Sequence, residues 1–356
     1  HVYDRGRRHY LVWLPRWGCD GMIGSAQKLL MARAGVKPPT PITPWGDIAI
    51  TSTSFVQSSP TLTSGTVSWW PNGMFFKPDG TKMFILGWRN GTGTSDLVEF
   101  SLSTAWDIST VSYVAQVSAV TTSYGRGCPF RRDGTALFFY DNSEIMRKYT
   151  LSTAWDLTTA SLDSSNSTSF STYTSGQPRN PFFSEDGKTV LMVDNNNDAL
   201  YQFSLSTAWD ISTASYTRNY SVSAKENQPQ AMAFSPDGTK MFIIGYQNDT
   251  VYSYRLNTAW SLASVTALSY SYNVSADGET SPKCLEFNND GTEMYVLGSS
   301  RDAFLIYSLS TEWRVDTATY TGIGRGDLMG GNNQNGMCFG NAGEYLFYVD
   351  STKDAV

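Results

Sequence analysis

One turn recurs six times along the chain, and no other feature constrains the fold as strongly. A glycine recurs at steps of 51 to 54 residues, and a phenylalanine stands four residues before every copy. The six glycines are Gly80, Gly134, Gly187, Gly238, Gly291 and Gly343. Aspartate precedes five of them, and five copies continue into STAW or a close variant. A period of this length indicates one structural unit that is used six times.

Each unit predicts four short strands. In residues 230–276, QAMAF is followed by SPDG, and Asp-Gly between apolar runs is a strong hairpin signal. KMFIIGY continues as a buried strand, and VYSYRL and LSYSYNVSA alternate apolar with polar residues, as half-buried strands do. Four antiparallel strands per repeat are typical of a propeller blade. The sequence therefore predicts an all-β protein, a six-bladed β-propeller of four-stranded antiparallel blades.

The two ends of the chain suggest how the ring closes. The sixth repeat stops at 354–356, where its third strand would begin. PWGDIAITSTSFVQSSP at 44–60 is similar to AWDISTVSYVAQVSAV at 105–120, which predicts a fourth strand. We therefore expect an N-terminal strand to complete the last blade, with the propeller over 44–356. Such closure removes open sheet edges.

Residues 1–43 do not fit the repeat and are predicted to form a basic attachment arm. They carry seven Lys/Arg and two Asp/Glu, so their net charge is +5 and that of the remainder is −6 − 5 = −11. MIGSAQKLLMARAGV predicts a short helix over 22–34, followed by a Pro-rich joint. The charge favours docking onto an acidic protein of an assembly, with an unstructured tail as the alternative. Nucleic-acid binding and membrane insertion are not expected.

The two faces of the predicted ring differ in how much they vary. The turn face carries the Asp-Gly turns and the STAW connections, which are near copies and indicate a structural role. The loop face carries the second-to-third loops and the fourth-to-first connections, which vary and are rich in polar residues. Aromatic platforms beside fixed polar groups suit sugar recognition. The candidate ligand-binding residues are Asn72, Arg126, Arg179, Gln230, Lys283 and Asn335, each eight residues before a turn glycine, together with Trp88 and Tyr246. The alternative is a solvated loop face.

Metal and catalytic chemistry have few candidates. Asp194 and Asp198 are candidate calcium ligands, because calcium prefers oxygen donors, and no other cofactor is expected. The two histidines, His1 and His9, lie outside the ring, so a Ser-His-Asp set cannot form within it. We therefore expect no enzyme. A glycosidase that uses two carboxylates stays open, with its candidate acids at Asp194, Asp198, Asp249 and Asp302.

The repeat text resembles a known group of sequences. FSPDGTKMFIIG and LSTAWDIST resemble the repeats of predicted propellers from bacteriophages and marine bacteria, which are loosely similar to the YVTN/WD40-like superfamily. The resemblance covers about 47–356 and supplies no catalytic residues. It implies a non-enzymatic, extracellular virion protein of tail-fibre or appendage type. On this reading, 1–43 binds other virion proteins and the loop face binds a host-surface glycan or other receptor. The alternatives are a decoration or scaffold protein and a secreted carbohydrate-active enzyme.

Overall fold

The chain folds as an all-β propeller of antiparallel four-stranded blades, as the repeat predicts. The computed structural model describes residues 11–14, 28–31, 69–89, 93–118, 124–175, 178–288, 290–301, 304–324, 334–340 and 345–350. Helical residues within these ranges occur only in six short 3₁₀ turns. They are Ile108–Thr110, Leu157–Thr159, Ile211–Thr213, Leu262–Ser264, Ser275–Asp277 and Val315–Thr317. The described part of the chain holds no helix that could cross a bilayer.

Five blades are complete, and in each the strands pair in chain order. Blade 1 contains β3 (Trp69–Phe76), β4 (Lys82–Arg89), β5 (Thr94–Leu102) and β6 (Val111–Ser118). Blade 2 contains β7 (Gly125–Gly127), β8 (Ala136–Asp141), β9 (Ile145–Leu151) and β10 (Ala160–Ser169). Blade 3 contains β11 (Pro178–Phe183), β12 (Thr189–Asp194), β13 (Ala199–Leu205) and β14 (Ala214–Ser221). Blade 4 contains β15 (Pro229–Phe234), β16 (Lys240–Gly245), β17 (Thr250–Leu256) and β18 (Val265–Asn273). Blade 5 contains β19 (Pro282–Phe287), β20 (Glu293–Gly298), β21 (Phe304–Leu309) and β22 (Ala318–Gly324).

The prediction of six four-stranded blades is wrong for the described residues, which form five. A two-stranded sheet follows blade 5, made of β23 (Gln334–Gly340) and β24 (Tyr345–Asp350). We call it the C-terminal hairpin. The repeat count predicted its two inner strands, but a turn signal cannot show where the outer strands of that sheet come from. The segment 44–60, which was expected to supply one, lies outside the described residues.

The recurring tryptophan locks the Asp-Gly turn of its own blade. Its backbone N–H donates to the carbonyl oxygen of the turn glycine at 2.8–3.1 Å in all five blades. Each of these tryptophans adopts a left-handed φ between 60° and 67°, which is unusual for a bulky residue. A Cβ built at Gly238, whose φ is +68°, would lie only 2.2 Å from Cε2 of the Trp260 indole. Glycine is therefore required both by the turn and by the ring above it.

The same indole also joins neighbouring blades. Trp155 stacks on Phe130 of its own blade at a centroid distance of 5.1 Å and contacts Phe84 of blade 1 at 6.2 Å. Trp106 of blade 1 makes the matching contacts with Phe76 at 5.3 Å and Phe347 of the C-terminal hairpin at 6.5 Å. The contact between consecutive blades thus recurs between the first blade and the last sheet. The apolar core lies between adjacent sheets around the ring.

The helix predicted over 22–34 is wrong where the structure describes that segment. β2 (Lys28–Met31) pairs with β1 (Leu11–Leu14) as an antiparallel two-stranded sheet. A short apolar run satisfies either a helical or an extended pattern, and here pairing with a second apolar segment favours the strand. The rest of the predicted arm lies outside the described residues.

Candidate functional site

A β-bulge marks the place where the inner strands reach the loop face. Pairing between the first and second strands breaks on either side of a single residue in five sheets. The residues at the break are Asn72, Arg126, Gln230, Lys283 and Asn335. In blade 3 the break follows Arg179, which itself pairs with Val193. Bulges re-aim a side chain and are frequent beside active sites. Five of the six predicted positions therefore coincide with a shift in strand register, which a spacing argument alone could not show.

Three aromatic and cationic side chains meet where blades 1 and 2 adjoin. The Trp88 and Tyr124 rings lie 5.4 Å apart at an angle of 33°. The Arg126 guanidinium carbon lies 5.1 Å from the centre of the Tyr124 ring, and Arg126 Nε donates to Asn142 Oδ1. Two of the predicted residues, Trp88 and Arg126, are thus brought together through Tyr124. Tyr124 was not among the predicted ligand-binding residues.

The other predicted residues are more scattered. Gln230 is fully buried, and its Nε2 donates to the Gln228 carbonyl oxygen at 3.2 Å. The Tyr246 backbone N–H donates to the same carbonyl oxygen at 3.2 Å, and its side chain is half-buried. Arg179 and Lys283 are also half-buried. Asn72 and Asn335 lie on described strands, but their side chains are outside the described part.

Carboxylates tie the second-to-third loops in two different ways. In blade 3, strand β12 ends at Asp194, whose Oδ1 accepts from the backbone N–H groups of Asn196 and Asn197 at 2.9 and 3.3 Å. Asp194 Oδ2 accepts from Ser175 N at 2.9 Å. In blade 2, Asp141 accepts from Ser143 N at 2.9 Å. These strand-end aspartates are fully buried and cap their own loops.

In blades 4 and 5, glycine ends the second strand and a glutamate from the preceding connection replaces the aspartate. Glu226 lies against Gly245, where a built Cβ would come 2.6 Å from the glutamate Cδ. Its two oxygens accept from Gln247 N and Asn248 N at 2.9 and 3.3 Å. These amides stand two and three residues after the strand end, as Asn196 and Asn197 do in blade 3. The carboxylate therefore reaches the same amides from the other loop.

Blade 5 repeats this arrangement. Glu279 lies against Gly298, and its oxygens accept from Ser300 N and Arg301 N at 3.2 and 3.3 Å. Its Oε1 also accepts from Ser281 N at 2.7 Å. The sequence shows aspartate at the strand end in blade 3 and glycine at the same position in blades 4 and 5. This difference was interpreted only as variation of the loop face.

The pKa of Glu226 is raised to about 7, mainly by burial and also by the charges of Asp249 and Asp198, while its two backbone hydrogen bonds oppose the shift. A carboxyl group that titrates near neutrality is a common mark of an active site. Glu226 is fully buried, however, and its oxygens are taken by loop amides. The geometry assigns it a structural role.

A second acidic position recurs at the end of the same loops, in a left-handed conformation. It holds Glu144, Asp198 and Asp249, with φ of 59°, 49° and 48°. Glu144 accepts from the Thr174 hydroxyl, and Asp198 accepts from Gln228 N at 2.9 Å. Both side chains are thus used to join adjacent connections.

Asp249 differs from its two counterparts. Its Oδ1 is buried and has no hydrogen-bond partner. The partner of Asp198 is Gln228 N, and the amide at the equivalent position beside Asp249 is Ser281 N. Ser281 N donates to Glu279 instead. Burial raises the pKa of Asp249, and the negative charge of Glu279 raises it further. A buried polar atom without a partner needs an explanation, and catalysis is one of those available. Sequence reasoning could not single out Asp249, because the three positions look alike.

The predicted calcium ligands hold the chain in other ways. Asp194 and Asp198 both accept backbone N–H groups, as described above. Within the described ranges no group of three or more His, Cys, Asp and Glu side chains could hold a metal ion. Calcium binding by this pair stays a prediction. Asp302, the last of the candidate acids, lies outside the described residues.

Solved structures with the same fold include three that bear lactonase names. The chain is similar to a protein from Bacteroides fragilis that bears the provisional name 6-phosphogluconolactonase, with 11% identity, a TM-score of 0.54 and coverage of 84% of this chain and 99% of that one. A protein of the same provisional name from Bacteroides uniformis gives 14% identity, a TM-score of 0.53 and coverage of 82% and 87%. Periplasmic gluconolactonase from Pseudomonas aeruginosa gives 12% identity, a TM-score of 0.50 and coverage of 79% of this chain and 73% of that one. No protein-family model and no curated protein match the sequence.

These likenesses show a shared fold, and they correct the functional expectation. A non-enzymatic virion protein was expected, but these neighbours bear the names of lactonases, which are enzymes, so that expectation is wrong. The terms phage, virion, tail fibre and receptor binding gain no support from them. The expectation that the chain is not an enzyme used the absence of histidine from the predicted ring, and that absence excludes only mechanisms that need histidine. A carboxylate can serve as the general base instead. The resemblance to the phage-type repeats stays a prediction.

Proposed function

We propose that this chain is an enzyme that hydrolyses the lactone or ester of a sugar-like acid on the loop face. The observation that carries the proposal is Asp249, a part-buried carboxylate with a raised pKa and an oxygen that the fold leaves without a hydrogen-bond partner. The names of the neighbouring structures supply the reaction class.

Asp249 has the properties of a general base for this reaction. It takes a proton from water, the resulting hydroxide attacks the lactone carbonyl carbon, and the ring carbon–oxygen bond breaks. The leaving ring oxygen takes that proton back from Asp249, so the carboxylate is regenerated and the product is the open hydroxy acid. A base is most effective when its pKa lies close to the working pH, and the raised pKa moves Asp249 in that direction.

We propose Lys283 as the cation that assists. It is the bulged residue of β19, and β19 contacts β16, the strand that leads into the loop of Asp249. We assign to it stabilisation of the negative charge that develops on the carbonyl oxygen, a role for which an ammonium group is suited.

The experiment is hydrolysis of gluconolactone and 6-phosphogluconolactone by the purified chain, followed by acid release and corrected for the spontaneous reaction. Asp249→Asn is expected to lower kcat by roughly 10²–10⁴-fold, the usual contribution of a general base. Asp198→Asn, the same change at the equivalent position of blade 3, is the matched control and should keep the rate within a few-fold. A folded wild-type chain that does not exceed the spontaneous rate, or an Asp249→Asn variant of unchanged rate, would overturn the proposal.

We further propose that the ring has six positions and that 44–60 supplies the outer strand of the last one. The support is the similarity of 44–60 to 105–120 and the contact of Trp106 with Phe347, which matches the contacts between consecutive blades. Chains that begin at residue 44 and at residue 61 test this point. The shorter one should have a clearly lower Tm, and equal Tm values would contradict the closure.

A further inference from the structure

We propose that Glu279 is a positioning residue that takes up the backbone N–H of Ser281 and thereby leaves one oxygen of Asp249 open to act as a base. The inference rests on the proposed function and names a second residue that this function needs. The observation that carries it is a difference in hydrogen bonding. Ser281 N donates to Glu279 Oε1 at 2.7 Å, whereas the equivalent amide before blade 4, Gln228 N, donates to the loop acid Asp198.

The connections that lead into blades 4 and 5 begin and end alike. Val222 N donates to the Asp198 carbonyl oxygen and Val274 N donates to the Asp249 carbonyl oxygen, both at 2.8 Å. Each connection ends at the proline that begins the next inner strand, three residues after its glutamate. The loop acid of the preceding blade is therefore joined to the connection by the same backbone bond in both places.

The two connections differ in length by one residue. Glu226 follows Val222 by four residues, whereas Glu279 follows Val274 by five. Gly278, directly before Glu279, has a left-handed φ of 94°, a conformation that glycine adopts without strain. The longer connection therefore brings its glutamate to the loop along a different backbone path.

The different path changes which carboxylate receives the amide. Gln228 has a left-handed φ of 82° and donates its N–H to Asp198 at 2.9 Å, and Ser281 does not adopt a positive φ. The Ser281 N–H donates instead to Glu279, which is fully buried. Because a backbone N–H has a single proton to donate, the amide is not free to bind Asp249, whose buried Oδ1 has no partner.

Glu279 also acts on Asp249 through its charge. Burial raises the pKa of Asp249, and the negative charge of Glu279 raises it further, because two ionised carboxylates repel each other. Glu279 therefore withholds a hydrogen bond that would favour the ionised form and adds a charge that disfavours it. The other titratable or charged groups on the neighbouring connections and loops are Lys225, Glu226, Tyr246, Asp277, Lys283 and Arg301. Glu226 interacts with Asp249 electrostatically as well. A change at position 279 leaves all of these groups in place.

The experiment measures the pKa of Asp249 without turnover, by NMR titration of the full chain carrying ¹³C-labelled aspartate. The Asp249 signal is the one that Asp249→Asn removes. Glu279→Gln keeps an oxygen for Ser281 N and removes the charge, so the pKa of Asp249 should fall. Asp290→Asn is the matched control, because it removes a negative charge from the exposed Asp-Gly turn of the same blade. It should leave the pKa of Asp249 unchanged.

Deletion of Gly278 tests the backbone path. It gives the connection the length found before blade 4, so Ser281 N should donate to Asp249 as Gln228 N does to Asp198. The amide signal of Ser281 should then follow the titration of Asp249, which it should not do in the wild type, and the pKa of Asp249 should fall. Unfolding curves show whether each variant is folded, and Glu279→Gln decides the question if the deletion variant is not.

The pH dependence of kcat/KM gives a second readout, which a purely structural role would not move. Its acidic limb reports the pKa of the base in the free enzyme, so the limb should move to lower pH in Glu279→Gln and stay in place in Asp290→Asn.

Two results would overturn the positioning role. One is an unchanged pKa of Asp249 in Glu279→Gln, and the other is a folded deletion variant in which the Ser281 amide ignores the titration of Asp249. Either result leaves the hydrolysis assay of Asp249→Asn unaffected. Conversely, a chain that hydrolyses no lactone still yields the NMR titration, so the two proposals fail separately.

Discussion

The turn face and the loop face of this propeller meet similar structural demands in different ways. On the turn face, every complete blade uses the same residues: a glycine with positive φ, and a tryptophan that covers it and donates to its carbonyl oxygen. On the loop face, two amides of the second-to-third loop in blades 3, 4 and 5 also need an acceptor. Asp194 provides it in blade 3 and Glu226 provides it in blade 4, from opposite sides of the loop. One face repeats its residues, while the other repeats only its hydrogen bonds.

The difference has a physical cause. The turn glycine, the indole and the phenylalanines of two blades fill one space, so any change in one needs changes in the others. A loop amide needs only an oxygen at hydrogen-bond distance, and several backbones can deliver one. The loop face can therefore vary without loss of its framework, and binding residues are free to differ between blades.

The largest expected effect is on the turn face. Gly238→Ala places a methyl group 2.2 Å from the Trp260 indole at a φ of +68°, and we expect a loss of about 3–5 kcal/mol in the free energy of unfolding from overpacking together with backbone strain. Urea unfolding of the variant measures it. Gly93→Ala is the matched control, because φ is +69° there but a built Cβ is 3.8 Å from the nearest atom of Trp88. It should cost only about 1 kcal/mol, and equal losses would show that the indole does not enforce the glycine.

The exchange of carboxylates on the loop face can be tested by a double-mutant cycle. Gly245→Asp alone crowds Glu226, and Glu226→Ser alone removes the acceptor of Gln247 N and Asn248 N, so each should cost about 2 kcal/mol. The double variant recreates the Ser175 and Asp194 arrangement of blade 3. It should recover a coupling energy of about 1–2 kcal/mol. Additive losses would contradict the equivalence of the two arrangements.

Glu226 also makes stability depend on pH. Its folded pKa of about 7 lies above the ordinary 4.5, so the folded chain binds this proton more tightly than the unfolded chain. The contribution of this proton to the free energy of unfolding is fully present below about pH 4.5 and is lost as the pH rises through about 7. The Tm of Glu226→Gln should fall less than that of the wild type between these pH values. Parallel Tm curves would show that the group does not titrate in this window.

The smallest effect is expected at the caps of the 3₁₀ turns on the turn face. Asp210 accepts from the backbone N–H of Ser212 at 3.1 Å and from the Ser212 hydroxyl at 2.6 Å. Asp210→Ala should cost about 1 kcal/mol, the usual value of a cap. Asp210→Ser tests the comparison further, because Ser261 caps the equivalent turn of blade 4. The serine variant should retain most of the wild-type stability, and a loss as large as that of alanine would show that the two caps are not interchangeable.

Much of the fold could be predicted, because its signals are local. The spacing of Gly80 and its five counterparts predicted the repeat, and the alternation in VYSYRL predicted the strands. The site could be predicted only in part. The bulge positions of Arg126 and Lys283 were found by their distance from the turn glycine. The predicted function was wrong, because it rested on the absence of histidine from the ring and on a resemblance to phage-type repeats rather than on an arrangement of side chains.

The sequence by itself determined the repeated blade, the Asp-Gly turn and the tryptophan that accompanies it, because these depend on residues that are close along the chain. Only the tertiary structure decided which carboxylate serves which loop, since Glu226 and Gln247 are 21 residues apart and meet only when neighbouring connections pack together. For the same reason it alone separated Asp249 from Asp198. Two aspartates in similar loops become different groups when one finds a partner across the loop and the other does not.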